Sequence, residues 1–101
     1  MKSGRLDRDG ILAVLRHIKP ELADRFGVTR LALFGSFVHN DTHEESDIDV
    51  VIELREPDMF ALVHIKETLE DDFKRPVDVI LYTPLMNAYL KTRIQNEAVY
   101  V

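Results

Sequence analysis

The sequence predicts an α/β (or α+β) domain, a small mixed β-sheet of three to four strands flanked by helices. Three short runs rich in β-branched and other apolar residues have the composition of strands, at Val28–Phe34, Asp47–Leu54 and Val77–Tyr82. The segments around them carry apolar residues at helical spacing. Strands that alternate with helices in this way indicate a sheet with helices packed on it.

The first helix is predicted to begin near Asp7 or Asp9, either of which can cap it, with apolar residues at 11, 12, 15 and 18 on one face. Pro20 is expected to interrupt this helix, because a proline ring removes a backbone hydrogen-bond donor. A further turn or two then spans residues 21–26. It should end at Gly27, which suits the left-handed conformation that follows a helix.

Breaks in the pattern place the remaining elements. After the first strand, a short helical piece is expected through Phe37–Asn40, and the polar stretch Asp41–Ser46 is expected to be a loop. Apolar spacing from Asp58 to Lys74 predicts an amphipathic helix with an acidic outer face. Thr83-Pro84 is a typical helix start and predicts a last helix to about Ala98, with residues 86, 90 and 94 facing inward.

Length and composition bound the class of protein. The chain has 101 residues, enough for one domain over 1–101, and no repeat or linker divides it. Its longest apolar runs, Ile11–Leu15 and Met59–Val63, have five residues each, so we expect no membrane span. There are no cysteines, which excludes disulfides and thiolate chemistry. We therefore expect a cytoplasmic protein.

The charge distribution argues against nucleic-acid binding. The net charge is −5, but residues 34–78 alone carry 13 acidic and 4 basic side chains, a balance of −9. Such a segment repels a phosphate backbone, so no direct contact with nucleic acid is expected. It is typical either of a solvated face or of a cation site.

Carboxylates on two predicted strands are candidates for a cation site. Asp47 and Asp49 project to the same face of one strand. Side by side they repel, unless a cation such as Mg²⁺ or Mn²⁺ lies between them. Asp78 stands in an otherwise apolar strand, where an unpaired carboxylate is costly to bury. The plainer alternatives are an acidic strand end facing water and, for Asp78, an ion pair with Arg75.

Gly35-Ser36, at the end of the first strand, is a candidate phosphate site. Glycine lets the backbone turn tightly and approach a ligand closely, and backbone N–H groups at the start of the following helical piece attract anions. Taken alone, a Gly-Ser pair is first of all a turn.

Together these residues resemble a known signature. Gly35-Ser36, ten residues, then Asp47-Ile48-Asp49 is similar to the GSx10DxD motif of the DNA polymerase β-like nucleotidyltransferase superfamily, and Asp78 resembles its third carboxylate. The small size points to the minimal nucleotidyltransferase (MNT) family. The resemblance extends from the helix before Gly35 to the end of the last helix.

The resemblance implies a nucleotidyltransferase fold and a metal-dependent transfer of AMP from ATP. Asp47, Asp49 and Asp78 would be the catalytic residues and metal ligands, holding two Mg²⁺ ions (or Mn²⁺), and Gly35 and Ser36 would bind the nucleotide phosphates. MNT proteins are typically paired with a helical HEPN protein as antitoxin and toxin. The implied acceptor is thus a hydroxyl, expected to be a tyrosine, of a HEPN toxin in a hetero-oligomer.

One departure from the family pattern keeps alternatives open. Family members commonly have an Ala-Arg-Gly-like segment shortly after the Gly-Ser pair, where this chain reads Val38-His39-Asn40. The missing arginine leaves phosphate contacts there to His39 or to another basic residue. The alternatives are a non-catalytic antitoxin that acts by binding alone, and transfer of a nucleotide to a small-molecule hydroxyl. The second suits this chain poorly, because only 23 residues follow Asp78.

Overall fold

The computed structural model describes residues 7–39 and 47–101. Its elements are α1 (Arg8–Phe26), β1 (Val28–Phe34), a 3₁₀ segment (Gly35–His39), β2 (Ile48–Leu54), α2 (Met59–Phe73), β3 (Val77–Leu81), α3 (Ala88–Glu97) and β4 (Val99–Tyr100). The strands form a four-stranded sheet in the order β3-β2-β1-β4. β1 is antiparallel to β2 and β4, while β3 is parallel to β2. The predicted α/β fold with a small mixed sheet is confirmed.

Helices cover both faces of the sheet. α1 and α2 pack on one face, over a core that includes Leu31, Leu33, Ile48, Val50 and Ile52. α3 packs on the other face, where Ile94 contacts a smaller cluster of Ala32, Phe34 and Val51 and where Met86 and Leu90 are partly buried as predicted. Because side chains alternate along a strand, residue 49 of β2 faces the same side as residue 51, the α3 side.

α1 contains Pro20 and is continuous, so the predicted interruption is wrong. The proline removes only the bond that its own N–H would have donated. Ile18 and Leu22 are buried on either side of it, and packing of this apolar face is enough to keep the helix whole. The predicted ends are confirmed: Asp7 accepts from the N–H of Gly10 at 2.9 Å, and Gly27 is left-handed at φ 76°.

α2 has the predicted position, whereas α3 begins later than predicted. Asp58 caps α2, which ends with Lys74 in the left-handed conformation. Thr83 lies in a turn, where its carbonyl accepts from the N–H of Met86 at 3.3 Å. Asn87 caps α3 instead, accepting from two backbone N–H groups at 2.8 and 3.1 Å. A side chain that can accept such bonds prevails over the proline signal at 84.

β4 was not predicted as an element. Its two residues pair with Ala32 and Leu33 of β1, and the N–H of Val101 donates to Leu31 O at 2.9 Å. A strand this short shows no alternation that a sequence pattern can reveal.

Two predicted features fall on or beyond the limits of the described residues. The short helix after β1 is a 3₁₀ segment ending at His39, and Asn40 and the predicted loop 41–46 lie outside the described residues. Within residues 7–39 and 47–101, no helix combines the length and the apolar composition that a membrane span requires.

Candidate active site

Three strand ends meet at one edge of the sheet. Phe34, the last residue of β1, pairs with Asp49 at the start of β2. Asp49 in turn pairs with Asp78 near the start of the parallel strand β3. Asp47 lies just before β2, two residues from Asp49. The topology thus places the chain after β1 and all three acids at the same edge.

Gly35 is the point of closest approach to these acids. Its φ of +79° is left-handed, a conformation that side chains rarely adopt. A β-carbon at this position would lie 3.1 Å from Cγ of Asp49 and would overlap its Oδ2. Glycine is therefore required here both by the turn and by the carboxyl group packed against it. The structure thus places Gly35 against Asp49, one member of the predicted acidic pair.

The 3₁₀ segment that begins at Gly35 is anchored on its buried side. Phe37 and Val38 are buried, and the Val38 carbonyl accepts from Nη1 of Arg8 at 3.1 Å. The guanidinium of Arg75 lies 5.6 Å from the centre of the Phe37 ring. Ser36 is half-buried beside Gly35. These contacts fix the backbone that would face a phosphate.

Arg75 and Arg8 are basic residues that the sequence analysis did not assign to the site. Arg8 donates to Val38 in the segment that lacks the family's usual arginine, and Arg75 lies against the neighbouring residue Phe37. The sequence carried one signal for Arg75, its position three residues before Asp78. His39, the substitute considered from the sequence, is exposed at the end of the 3₁₀ segment.

Asp49 is the most perturbed carboxyl group of the site. Its pKa is raised from 3.8 to about 6, first by burial, then by the charges of Asp78 and Asp47 and by a hydrogen bond with Asp78. Asp47 and Asp78 are themselves exposed. A carboxyl group whose pKa is raised by burial and by neighbouring carboxylates is stabilised as an anion when a cation lies beside it. Asp49 is therefore the half-buried member of a group of three carboxylates whose other two members are open to solvent.

The donor chemistry of this edge fits a hard cation. Its side-chain donors are carboxylate oxygens, the ligands that Mg²⁺ and Mn²⁺ prefer. Asp49 and Asp78 are joined by a hydrogen bond, and Asp47 acts on Asp49 through its charge. In the part of the chain that the structure describes, no three His, Cys, Asp or Glu side chains already stand in a metal-binding arrangement. A ligand role for all three acids remains a prediction.

Comparison with known proteins identifies the family of this chain. The family model described as "Nucleotidyltransferase domain" matches residues 15–101. The chain belongs to this nucleotidyltransferase family. Protein adenylyltransferase MntA of Thermococcus cleftensis is 33% identical over 97 residues, which cover 95% of this chain and 97% of that protein. MJ0435 of Methanocaldococcus jannaschii is 40% identical over 89 residues, covering 87% and 94%. The chain is thus a minimal nucleotidyltransferase of the MntA type.

Solved structures of nucleotidyltransferases share the fold. A minimal nucleotidyltransferase structure superposes with a TM-score of 0.78 at 23% identity and covers 94% of this chain and 96% of its own. A toxin–antitoxin structure with AMP-PNP gives 0.68 at 20% identity, with coverages of 94% and 72%. A tri-AMPylated HEPN toxin of Shewanella oneidensis in complex with its MNT antitoxin gives 0.58 at 18% identity, with coverages of 96% and 70%. These likenesses confirm the predicted nucleotidyltransferase fold.

Proposed function

We propose that this nucleotidyltransferase is the antitoxin of a toxin–antitoxin pair and transfers AMP from ATP to a tyrosine hydroxyl of a HEPN toxin. The observation that carries the proposal is the meeting of Gly35, Asp49 and Asp78 at one sheet edge. Support comes from the MntA relative, which is named a protein adenylyltransferase and matches nearly the whole chain. The fold neighbours add a toxin that carries AMP in complex with its antitoxin.

In this proposal, each residue has one role in the transfer. Gly35 and Ser36 hold the β- and γ-phosphates of ATP through their backbone N–H groups and the serine hydroxyl. Asp47 and Asp49 would hold two Mg²⁺ ions, or Mn²⁺, and Asp78 would complete the ligand set. When bound, the metal supplies charge stabilisation to the oxygens that attack and leave in an in-line displacement.

We assign removal of the hydroxyl proton to Asp78, the role that the family resemblance implies for the third carboxylate. It is exposed, so an acceptor hydroxyl from another protein can reach it. As the hydroxyl oxygen bonds to the α-phosphorus, the bond from that phosphorus to the bridging oxygen breaks and pyrophosphate leaves. The hydroxyl proton passes to Asp78 as general base. The products are an AMP ester on the acceptor and pyrophosphate.

The openness of the edge favours a protein acceptor. Two of the three acids are exposed, so a partner surface is needed to exclude water and orient the hydroxyl. We propose that the HEPN toxin supplies this surface in a hetero-oligomer, in the cytoplasm, where ATP is abundant. Transfer to a small molecule favours a covered pocket, whereas Asp47 and Asp78 are exposed in the described part of the chain.

The test uses the purified protein, α-labelled ATP, Mg²⁺ and the product of the neighbouring gene. We expect label on the second polypeptide with the wild type and none with Asp49→Asn. Asp24→Asn is the matched control, because it makes the same change on the exposed side of α1 and should transfer as the wild type does. Phosphoamino-acid analysis of the labelled partner should identify tyrosine.

Two results would contradict the proposal. If wild type and Asp49→Asn both form a stable complex without labelling it, the protein acts as an antitoxin by binding alone. If label appears equally with wild type and Asp49→Asn, the acidic edge is not the catalytic site.

A further inference from the structure

The first residue of β3 has backbone groups that the sheet leaves unpaired. β3 is an edge strand of the described sheet, with β2 as its neighbour. In a parallel pair, alternate residues direct both their N–H and their C=O toward the partner strand, and the residues between direct both away from it. The N–H of Ile48 donates to Pro76 O at 3.3 Å, so Val77 is one of the residues whose polar groups face outward.

An ion pair on α2 binds both of these groups. Nζ of Lys66 donates to the Val77 carbonyl at 2.7 Å. Oε2 of Glu70 accepts from the Val77 N–H at 3.0 Å. The same Glu70 oxygen accepts from Lys66 Nζ at 2.8 Å. The pair therefore takes the place of a neighbouring strand at this one residue. Three hydrogen bonds join the two side chains to each other and to the Val77 backbone.

We propose that Lys66 and Glu70 are positioning residues that fix the start of β3, and thereby hold Asp78 opposite Asp49. This inference rests on the proposed role of Asp78 in the transfer. Val77 is fully buried and directly precedes Asp78, so holding its backbone sets where the next carboxylate points. Without this pair, the outward-facing N–H and C=O groups of Val77 would lose the partners that bind them here.

The charges around the pair agree with this role. The pKa of Glu70 is lowered, first by its hydrogen bond with Lys66 and then by the Val77 N–H. The pKa of Lys66 is raised, first by its bond to Glu70, and the carboxylates of Asp78 and Asp47 also contribute. The positive charge of Lys66 is therefore attracted by these carboxylates.

A role in stability alone explains these contacts less well. Ion pairs between residues i and i+4 on a helix surface contribute little to folding, and α1 carries such a pair, Glu21 and Arg25, at 2.9 Å. That pair joins two exposed side chains of one helix. The pair on α2 differs because both its members also bind the backbone beside Asp78. This difference defines the matched control.

The experiment compares Glu70→Ala with Glu21→Ala in the full chain. Each variant removes one glutamate from an i, i+4 ion pair. Three quantities are measured: kcat and KM for ATP in AMP transfer to the partner, the affinity of the isolated protein for Mn²⁺ by electron paramagnetic resonance, and amide hydrogen exchange at Val77. Lys66→Met is the second variant, in case Glu70→Ala does not fold.

For Glu70→Ala we expect kcat to fall by about 10-fold to 100-fold with little change in KM for ATP, and Mn²⁺ binding to weaken by about 10-fold, as when the support of a metal ligand is removed. The Val77 amide should exchange faster. Lys66→Met should act in the same direction, and Lys66→Arg, which keeps a donor, should restore most of kcat. Glu21→Ala should match the wild type in every quantity.

The inference is overturned if folded Glu70→Ala and Lys66→Met keep wild-type kcat and Mn²⁺ affinity. It is also overturned if Glu21→Ala lowers them equally, because the effect is then one of helix stability. Failure of the proposed function looks different, since the wild type itself then transfers no AMP. In that case Mn²⁺ affinity and Val77 exchange still decide whether the pair positions Asp78.

Discussion

Replacing Gly35 with alanine tests the geometry of the site directly. The left-handed backbone at φ +79° carries a penalty of about 1 kcal/mol or slightly more for any residue with a β-carbon. The new β-carbon would also overlap Oδ2 of Asp49 and approach its Cγ to 3.1 Å, and relieving such an overlap costs about 1–3 kcal/mol. The free energy of unfolding of Gly35→Ala should therefore fall by about 2–4 kcal/mol.

The chain offers a matched control at Gly27. Its φ of +76° is nearly the same, but the closest atom to an added β-carbon is Cβ of Arg55 at 3.8 Å, an ordinary contact. Gly27→Ala should therefore show the backbone penalty alone, about 1 kcal/mol. The difference between the two variants in urea denaturation measures the overlap with Asp49. Gly27→Ala should keep AMP transfer, whereas Gly35→Ala should lose about 100-fold or more, since small displacements of reacting groups have effects of that size.

The double variant Gly35→Ala/Asp49→Ala completes the test. Removing the carboxyl group removes the atom that the new β-carbon overlaps and leaves only the milder contact with Cβ of residue 49 at 3.3 Å, so most of the steric part of the loss should be recovered. The reasoning is refuted if Gly35→Ala denatures at the same urea concentration as Gly27→Ala and still transfers AMP. That result would mean that Asp49 is not packed against Gly35.

Three further predictions concern stability. In metal-free buffer the free energy of unfolding should fall as pH rises from about 4 to about 7, because the pKa of Asp49 is about 6 in the folded protein against an ordinary 3.8; solvent screening of this half-exposed group limits the change to about 1 kcal/mol. Urea titrations across this range should show the slope in the wild type and not in Asp49→Asn, and equal slopes would count against it. Mg²⁺ should raise the Tm of the wild type more than that of Asp49→Asn, and an equal rise would place the ion elsewhere. Pro20→Ala should stabilise the protein by about 1 kcal/mol, because it restores a helical hydrogen-bond donor in α1, and a loss of stability in urea denaturation would show that the ring is well accommodated.

The sequence predicted best those features that depend on pattern over several residues. The three longer strands and α2 were found within a residue or two, because their apolar spacing reflects the two sheet faces that they cover. The errors at Pro20 and at Thr83-Pro84 share one origin. At both places the local effect of a proline is outweighed by another interaction. At Pro20 this is the packing of the apolar helix face, and at Thr83-Pro84 it is the capping side chain of Asn87. β4 is too short to carry any pattern at all.

The candidate site also contains residues that the sequence predicted and residues that only the structure shows. Motif spacing identified Gly35 and Asp49, and Asp78 was identified as a carboxylate in an otherwise apolar strand. The structure brings these three together at one edge. Lys66 and Glu70 were missed as members of the site, because in the sequence they are an ordinary i, i+4 pair on an acidic helix. Only the structure shows that the parallel pairing of β3 with β2 leaves the Val77 backbone facing outward, where the pair binds it.

The two faces of the sheet differ in cover, and this difference explains how so small a protein combines a core with an open site. α1 buries five side chains and α2 buries four on one face. On the other face, α3 has a single buried side chain, Ile94. Side-chain alternation directs Asp49 to this thinly covered face, where Ile94 packs against Phe34 and Val51. The α1–α2 face supplies most of the burial that stabilises the fold. The thinner cover on the α3 side leaves Asp78 exposed, as the proposed transfer to another protein requires.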